Sequence, residues 1–136
     1  MILRSFDDTR QLARTLLELL DPGSLLLLQG DMGSGKTTLV SAIATELGSP
    51  ANVSSPTYTL IHEYPTPQGT LVHIDAWRLP SAADLVQTGL DDYLDSARLV
   101  AVEWGEKLRE QYPESVLVKL AVGPDGERSA RIEGPE

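Results

Sequence analysis

The residues with the clearest chemical signature form one short loop, Gly30 to Thr37, with the sequence GDMGSGKT. This loop matches the phosphate-binding pattern GxxxxGK[ST]. Its glycines let the backbone curl so that successive N–H groups point inward, and the dipole of a following helix adds to their attraction for phosphate oxygens. The Lys36 ammonium can bring a positive charge next to the β- and γ-phosphates, and the Thr37 hydroxyl can ligate Mg²⁺ held between them. The loop therefore predicts a site for ATP and Mg²⁺.

Two carboxylates stand at the ends of apolar segments that are typical of strands. Asp75 follows Leu71 to Ile74, and Glu103 follows Leu99 to Val102. In a parallel sheet both strands would end at the edge where the loop lies, and there Mg²⁺ needs oxygen ligands and an attacking water needs orientation. An acid at a strand end is otherwise often a turn or cap residue, but the presence of the loop favours a role in the site. We therefore predict Lys36, Asp75 and Glu103 as the catalytic residues.

Other residues near these acids have weaker signatures. The segment Ser54 to Thr59, which includes Thr57, is dense in hydroxyl groups and lies where many P-loop proteins have a mobile loop over the γ-phosphate, although a plain polar loop is an equal alternative. Trp77 and Trp104 each lie just beyond a proposed site carboxylate, where an indole could wall the site or pack in the core, and Trp104 is the better candidate. His73 alternates with apolar neighbours, so we interpret it as a core histidine and assign it no chemistry.

Helical and strand patterns alternate in the first third of the chain. Leu12 to Leu20 has apolar residues at helical spacing and is followed by the helix stop Asp-Pro-Gly, and Leu39 to Leu47 has the same spacing. Leu25 to Leu28 is a continuous apolar run, which predicts a central strand buried on both faces of a parallel sheet. Strand, loop and helix thus follow one another in the order of a P-loop protein.

The rest of the chain continues the alternation. Val53 to Tyr64 is interrupted by a proline and favours a loop that leads into an edge strand. Ser81 to Leu94 has helical spacing with a break at Gly89, and a further helix is expected through Leu108 to Tyr112.

The end of the chain has the composition of a β-hairpin. Val116 to Val122 and Ser129 to Glu133 flank the turn sequence Gly-Pro-Asp-Gly. The predicted fold is α/β: a single-domain P-loop NTPase over residues 1–136, with a mostly parallel central sheet flanked by helices and antiparallel edge strands at the C-terminus.

Composition limits the classes of partner. The chain has 136 residues, a formal net charge of −9 and no cysteine. It has no cluster of lysine and arginine that could displace counterions from nucleic-acid phosphates, so we expect no direct binding of DNA or tRNA. The acidity fits either plain solvation or docking to a basic protein partner.

The sequence has no apolar stretch long enough to cross a bilayer, no secretory pattern and no cysteine framework. We therefore expect the protein in the cytoplasm, away from membranes.

Five segments occur in the order and spacing of one known family. They are Gly30 to Thr38, Ser54 to Leu60, His73 to Leu79, Gly89 to Leu94 and Val102 to Glu106. On these segments the chain resembles the TsaE (YjeE) family over nearly its whole length. Members of that family are small ATPases that bacteria need to make threonylcarbamoyl adenosine beside the anticodon of tRNAs reading codons that begin with adenine, and they act through the partner proteins TsaD and TsaB. The resemblance implies the same activity, the cofactors ATP and Mg²⁺, and the same partners, with tRNA contacted only indirectly.

The resemblance also implies roles for individual residues. Thr37 and Glu103 would ligate Mg²⁺, and Asp75 would be the Walker B acid, which belongs to the same metal site. Gly105 departs from the pattern, because proline often follows the tryptophan in the family. The nucleotide-binding residues implied in this way are Gly33, Ser34, Gly35, Lys36, Thr37, Thr38, Thr57 and Trp104.

Other classes of protein would use the same loop. A small-molecule kinase also needs a P-loop and a strand-end acid, but it usually adds an arginine-bearing lid, and no lid segment is obvious beyond the region of Gly89. A guanine-nucleotide switch needs the base-reading motif Asn-Lys-x-Asp, which cannot occur because the only asparagine, Asn52, is followed by valine. A scaffold that binds ATP and hardly hydrolyses it stays open as an alternative.

Overall fold

The computed structural model describes residues 1–49, 61–76 and 89–135. These residues form one seven-stranded sheet, three α-helices and a single 3-10 turn over Glu106–Leu108. The strands are β1 (Ile2–Leu3), β2 (Ser24–Gln29), β3 (Ile61–Tyr64), β4 (Leu71–Asp75), β5 (Leu99–Glu103), β6 (Val116–Val122) and β7 (Arg128–Glu133), and the helices are α1 (Phe6–Leu19), α2 (Lys36–Leu47) and α3 (Leu90–Ser96).

Four parallel strands form the centre of the sheet. The strand order is β1-β7-β6-β2-β5-β4-β3, and the parallel pairs are β6 with β2, β2 with β5, and β5 with β4. The strand β2 lies in the middle because Leu25 to Leu28, at most 4% exposed, offer apolar side chains to both faces. The predicted α/β fold with a mostly parallel central sheet is confirmed, and so is the central position of this strand.

The register of these strands lines up the predicted acids. Leu28 in β2 pairs with Glu103 in β5, and Glu103 pairs with Asp75 in β4. Parallel strands end at one common edge of a sheet, and the loop that follows β2 starts at that edge. The fold therefore places both carboxylates beside the loop.

The helices α1 and α2 cover one face of the sheet. Helix α1 begins after Ser5, whose hydroxyl accepts a hydrogen bond from the Asp8 N–H at 3.2 Å, as an N-cap does. Helix α2 ends at Gly48, which has a φ of +85° and closes the helix in the left-handed conformation. The core between these helices and the sheet includes Leu12, Leu16, Leu26, Leu28, Leu39, Ile43 and Leu47, and a second core on the other face includes Leu25, Leu27, Val72, Ile74, Leu90 and Leu108.

Two elements differ from their prediction. The expected helix through Leu108 to Tyr112 is wrong: the chain makes the 3-10 turn and then turns as far as Gln111, because Pro113 disfavours a helical backbone at the residue before it. The predicted helix Ser81 to Leu94 is described only from Gly89 onward, where α3 extends two residues beyond the predicted end.

The edges of the sheet agree with the prediction and add one strand to it. Strand β3 is an edge strand, and the antiparallel hairpin of β6 and β7 lies on the opposite side of the sheet. The short strand β1 pairs outside β7, through Ile2 and Leu3. Two residues are too few to show a period of two in the sequence, so this strand could not be predicted. No helix in residues 1–49, 61–76 or 89–135 is both long enough and apolar enough to cross a membrane.

An ion-pair cluster joins α1 to α2. The Glu46 carboxylate accepts a hydrogen bond from Arg10 Nε at 2.8 Å and another from Arg14 Nε at 3.1 Å. Burial alone would raise the pKa of the Glu46 carboxyl, but the hydrogen bonds from the two arginines outweigh it and hold this pKa below its usual range. A carboxylate whose folded pKa lies below its unfolded pKa stabilises the fold above the unfolded pKa, and its contribution is lost as the pH falls through the folded pKa.

We expect Glu46→Gln to lower the free energy of unfolding at neutral pH by about 0.5–1 kcal/mol, because the arginines are partly exposed and such pairs are weak. The difference from the parent chain should shrink as the pH falls below the ordinary glutamate pKa of about 4.3. Urea denaturation at several pH values measures it, with Glu18→Gln as the control because Glu18 is an exposed acid of α1. A loss of stability that does not change with pH would contradict the electrostatic account.

Candidate functional site

Most of the predicted site residues meet in one cavity of about 300 Å³ at the carboxyl edge of the parallel strands. Its walls come from the loop, from the start of α2, and from the ends of β4 and β5, so residues as far apart in the chain as Thr37 and Glu103 become neighbours. The lining residues are Met32, Gly33, Gly35, Lys36, Thr37, Thr38, Asp75, Glu103, Trp104 and Arg128.

The loop turns into α2 through two glycines in the left-handed conformation. Gly33 has a φ of +81° and Gly35 a φ of +107°, values that a residue with a Cβ rarely adopts. Gly35 is also the N-cap of α2 and has no side chain to accept hydrogen bonds from the first turn. The backbone N–H groups at the start of this helix have no intrahelical partner, and together with the helix dipole they suit an anion.

Lys36 is a buried cation of the site. It is 5% exposed, and its ammonium donates hydrogen bonds to the carbonyl oxygens of Gly30 and of Asp31, the latter at 3.0 Å. Burial lowers the pKa of Lys36 from its ordinary value, while the carboxylates of Glu103, Glu106, Asp31 and Asp75, in that order, act in the opposite direction. The ammonium is thus surrounded by negative charge and held close to the loop.

Thr37 and Glu103 are in direct contact below the loop. The Thr37 hydroxyl donates a hydrogen bond to Glu103 Oε2 at 2.9 Å. A hydroxyl and a carboxylate are the hard oxygen donors that Mg²⁺ prefers, and Mg²⁺ is usually held by one or two protein oxygens together with phosphates and water. The pair therefore fits a magnesium ion bound to a nucleotide. Asp75 lies one strand further along, partly exposed at the end of β4, and lines the same cavity.

Trp104 has a strained backbone. Its φ is +60°, and it is the one residue other than glycine with a positive φ in the part of the chain that the structure describes. A bulky residue in this conformation costs about 1–2 kcal/mol, so its surroundings must hold it there. The indole lies against the lysine, with Lys36 Nζ 4.1 Å from a ring centroid, at a distance typical of a cation–π interaction. The positive φ of Trp104 after β5 thus places the indole side chain beside the loop.

The path of the chain after Trp104 depends on Gly105. Its N–H donates a hydrogen bond to the Leu28 carbonyl at 3.3 Å, which a proline could not do. A Cβ at this position would lie 2.8 Å from the Val102 carbonyl oxygen and 3.0 Å from a Leu27 methyl group. Glycine here therefore lets the strand end pack closely against β2.

Three predicted features lie outside this cavity or outside the described residues. Ser34 is 1% exposed and its hydroxyl has no hydrogen-bond partner in the described part of the chain. It lines an adjoining cavity of about 250 Å³ beside the loop. Thr57, with the segment Ser54 to Thr59, and Trp77 lie outside the described residues.

Sequence reasoning missed two residues of the site. His73 is fully buried, as predicted for a core histidine, but its Nε2 lies 2.5 Å from Glu103 Oε2. Its place two residues before Asp75, on the same face of a strand, was the pattern that could have indicated this contact. Arg128, at the start of β7, lines both cavities. No motif marks it, because it reaches the site only through the pairing of distant strands.

A central strand, a glycine loop and a helix in this arrangement, with acids on the neighbouring strand ends, define the fold class of the P-loop NTPases. Comparison with known proteins agrees with this class. The family model described as "Threonylcarbamoyl adenosine biosynthesis protein TsaE" matches residues 3–131. The chain belongs to the TsaE family.

Relatives in several bacteria cover almost the whole chain. The protein of Aquifex aeolicus (strain VF5) named "tRNA threonylcarbamoyladenosine biosynthesis protein TsaE" is 35% identical over 136 residues, which is 97% of this chain and 93% of that protein. The protein of the same name from Treponema pallidum (strain Nichols) is 34% identical over 96% of this chain and 97% of its own length. Among solved structures, "Crystal structure of Bacillus subtilus YdiB" superposes with a TM-score of 0.76 at 27% identity, over 100% of this chain and 84% of that one.

Proposed function

We propose that the chain binds ATP with Mg²⁺ in the 300 Å³ cavity and hydrolyses it in support of threonylcarbamoyladenosine biosynthesis on tRNA, together with a TsaD–TsaB complex. The observation that supports this most is the contact of the Thr37 hydroxyl with the Glu103 carboxylate beneath a P-loop, at 2.9 Å. This pair of hard oxygens stands where a metal ion would meet the phosphates of a nucleotide. The names of the relatives place the same family in the biosynthesis of this modified nucleoside.

Each side chain has a distinct part in the proposed reaction. Lys36 and the N–H groups of the loop neutralise the negative charge on the phosphates, which is the main contribution of protein groups to phosphoryl transfer. Thr37 and Glu103 would hold Mg²⁺, which supplies charge to the phosphate oxygens when it is bound. Asp75 faces the same cavity from the next strand end and would orient a water molecule or a metal-bound water. Trp104, whose ring centroid lies 4.1 Å from Lys36 Nζ, would limit the access of solvent to this ammonium.

The adjoining cavity offers room for the nucleoside. It shares Gly35, Thr38 and Arg128 with the phosphate cavity, so the two lie side by side at the start of α2. It also includes Phe6, an aromatic side chain that is 45% exposed and could stack on a base. We therefore propose that ATP lies with its phosphates over Lys36 and its base toward the N-terminal segment.

Charge and size favour a partner that supplies the tRNA. The formal net charge of −9 opposes direct binding of RNA by this chain. One small sheet with a cavity of nucleotide size has little room for a second substrate, so the modification chemistry would occur on the partner complex. Such a protein would work in the cytoplasm, with tRNA contacted through TsaD and TsaB. Partners of other P-loop proteins speed up hydrolysis by completing the site, and we expect slow hydrolysis by the isolated chain.

The proposal predicts a faster release of phosphate when the TsaD–TsaB complex is added. Steady-state phosphate release is measured with the chain alone, the complex alone and the two together, and a filter-binding assay measures tRNA retention by the chain alone. We expect low turnover alone, a clear increase in the mixture, and no tight tRNA binding at physiological salt. Equal rates per chain with and without the complex, or submicromolar tRNA binding by this chain, on the order of specific nucleic-acid binders, would contradict the proposal.

A further inference from the structure

We propose that His73 is a positioning residue for Glu103, and that it fixes the carboxylate in the orientation in which Glu103 can serve the metal site. The inference rests on the proposed Mg²⁺ site and adds a residue to it. His73 Nε2 lies 2.5 Å from Glu103 Oε2. Because a carboxylate can only accept, the Nε2–H of the imidazole is the donor.

Both partners of this hydrogen bond are buried. His73 is 0% exposed, and Glu103, which lines the cavity, is only 4% exposed. His73 lies on the face of β4 that packs against α2, two residues before Asp75, and β5 places Glu103 diagonally beside it. A hydrogen bond to a charged group in such surroundings is stronger than one at the surface, and it restricts the rotamers of both side chains.

The other ring nitrogen supports a role in positioning. His73 Nδ1 has no hydrogen-bond partner among the described residues, although it is buried. An unpaired buried polar atom costs free energy, so an apolar residue would serve the packing of this position better. The histidine is therefore unfavourable for packing here, and the contact that offsets this is the hydrogen bond to Glu103.

Glu103 accepts a hydrogen bond from a second donor, but that donor is also a proposed ligand of Mg²⁺. The Thr37 hydroxyl bonds to the same oxygen, Oε2, at 2.9 Å, and none of the described residues donates to Oε1. Thr37 is itself a proposed ligand of Mg²⁺, so His73 is the one donor to Glu103, within the described segments, that is not also expected at the metal. Partners that orient metal ligands in this way typically contribute 10–100-fold to metal affinity.

The test compares His73→Leu, His73→Gln and a control, Val72→Ala. Val72 is 1% exposed and belongs to the core on the other face of the sheet, so its loss should lower stability without contact to Glu103. For each protein, binding of a fluorescent, non-hydrolysable ATP analogue is titrated against free Mg²⁺, and thermal unfolding is recorded in parallel. A second series in EDTA measures binding of the analogue without metal.

We expect His73→Leu to shift the Mg²⁺ midpoint upward by about 10–100-fold while binding in EDTA stays unchanged. His73→Gln should recover part of this loss, because its amide can donate to the carboxylate. Val72→Ala should melt at a lower temperature and keep the parental Mg²⁺ midpoint. A parental midpoint in His73→Leu, or an equal shift in Val72→Ala, would overturn the inference.

Two further measurements separate the possible failures. If Glu103→Ala shifts the Mg²⁺ midpoint and His73→Leu does not, the inference fails and the proposed function stands. If the parent shows no Mg²⁺-dependent binding at all, both fail.

If neither histidine variant folds, NMR of the parent labelled with ¹⁵N-histidine decides. A slowly exchanging Nε2 proton that shifts when Mg²⁺ and the analogue are added supports the inference, and a fast-exchanging one overturns it.

Discussion

Lys36→Ala is expected to reduce ATP turnover by at least about 100-fold, while the chain keeps its fold. The ammonium is a buried cation of the phosphate cavity, and the loop otherwise offers mostly N–H donors, which carry no net positive charge to balance a triphosphate. The fold should survive, because burial of the ammonium already lowers the pKa of Lys36 and its partners are carbonyls of the same loop. Removing the charge thus relieves a desolvation cost as it removes hydrogen bonds.

Turnover is measured by phosphate release, and retention of the fold by circular dichroism at increasing temperature. Both are recorded on the same preparations. Lys119→Ala is the matched control, since Lys119 is an exposed lysine of β6 that pairs with Glu133 at 3.0 Å and lies outside the cavity. The control should hydrolyse ATP at the parental rate. Normal turnover in Lys36→Ala would show that the loop is not the site of hydrolysis.

Glu103→Ala is expected to weaken Mg²⁺ binding more than Asp75→Ala does. Glu103 is the acid in contact with Thr37, whereas Asp75 lies one strand further from the loop. Loss of an acid that acts through a metal-bound water typically costs 10–100-fold in metal affinity, and loss of a direct charged ligand should cost more. Mg²⁺ titrations of analogue binding measure the order, and Glu103→Gln separates the loss of charge from the loss of the side chain. The reverse order would exchange the roles of the two acids.

The loop and the strand-end acids could be predicted from sequence because each depends on local order. A glycine pattern between an apolar run and a helical pattern already specifies Lys36 and Thr37, and parallel strands deliver Asp75 and Glu103 to the same edge. The central strand was equally clear, because four successive leucines need cover on both faces. The family resemblance is confirmed by the family model, and the roles that it implies for the same residues stay predictions.

Features that depend on the pairing of distant segments could not be predicted. Arg128 and β1 reach their places through strand contacts across more than a hundred residues of chain, for which no local pattern exists. The place of His73 two residues before Asp75 indicates a shared face of the strand, but the sequence does not show which atom its ring nitrogen contacts. The strained turn at Trp104 is likewise a result of packing, since no bulky residue favours a positive φ by itself.

Binding of a nucleotide–metal complex at the loop is tested most directly by locating a metal ion in crystals grown with Mn²⁺ and a non-hydrolysable ATP analogue. Anomalous scattering locates the ion without assumptions about the surrounding density. We expect one ion bound to the nucleotide phosphates and at coordination distance, about 2 Å, from Thr37 Oγ1 and the Glu103 carboxylate. A bound analogue whose metal ion lies away from both side chains, or a nucleotide outside the Gly30 to Thr37 loop, would contradict it.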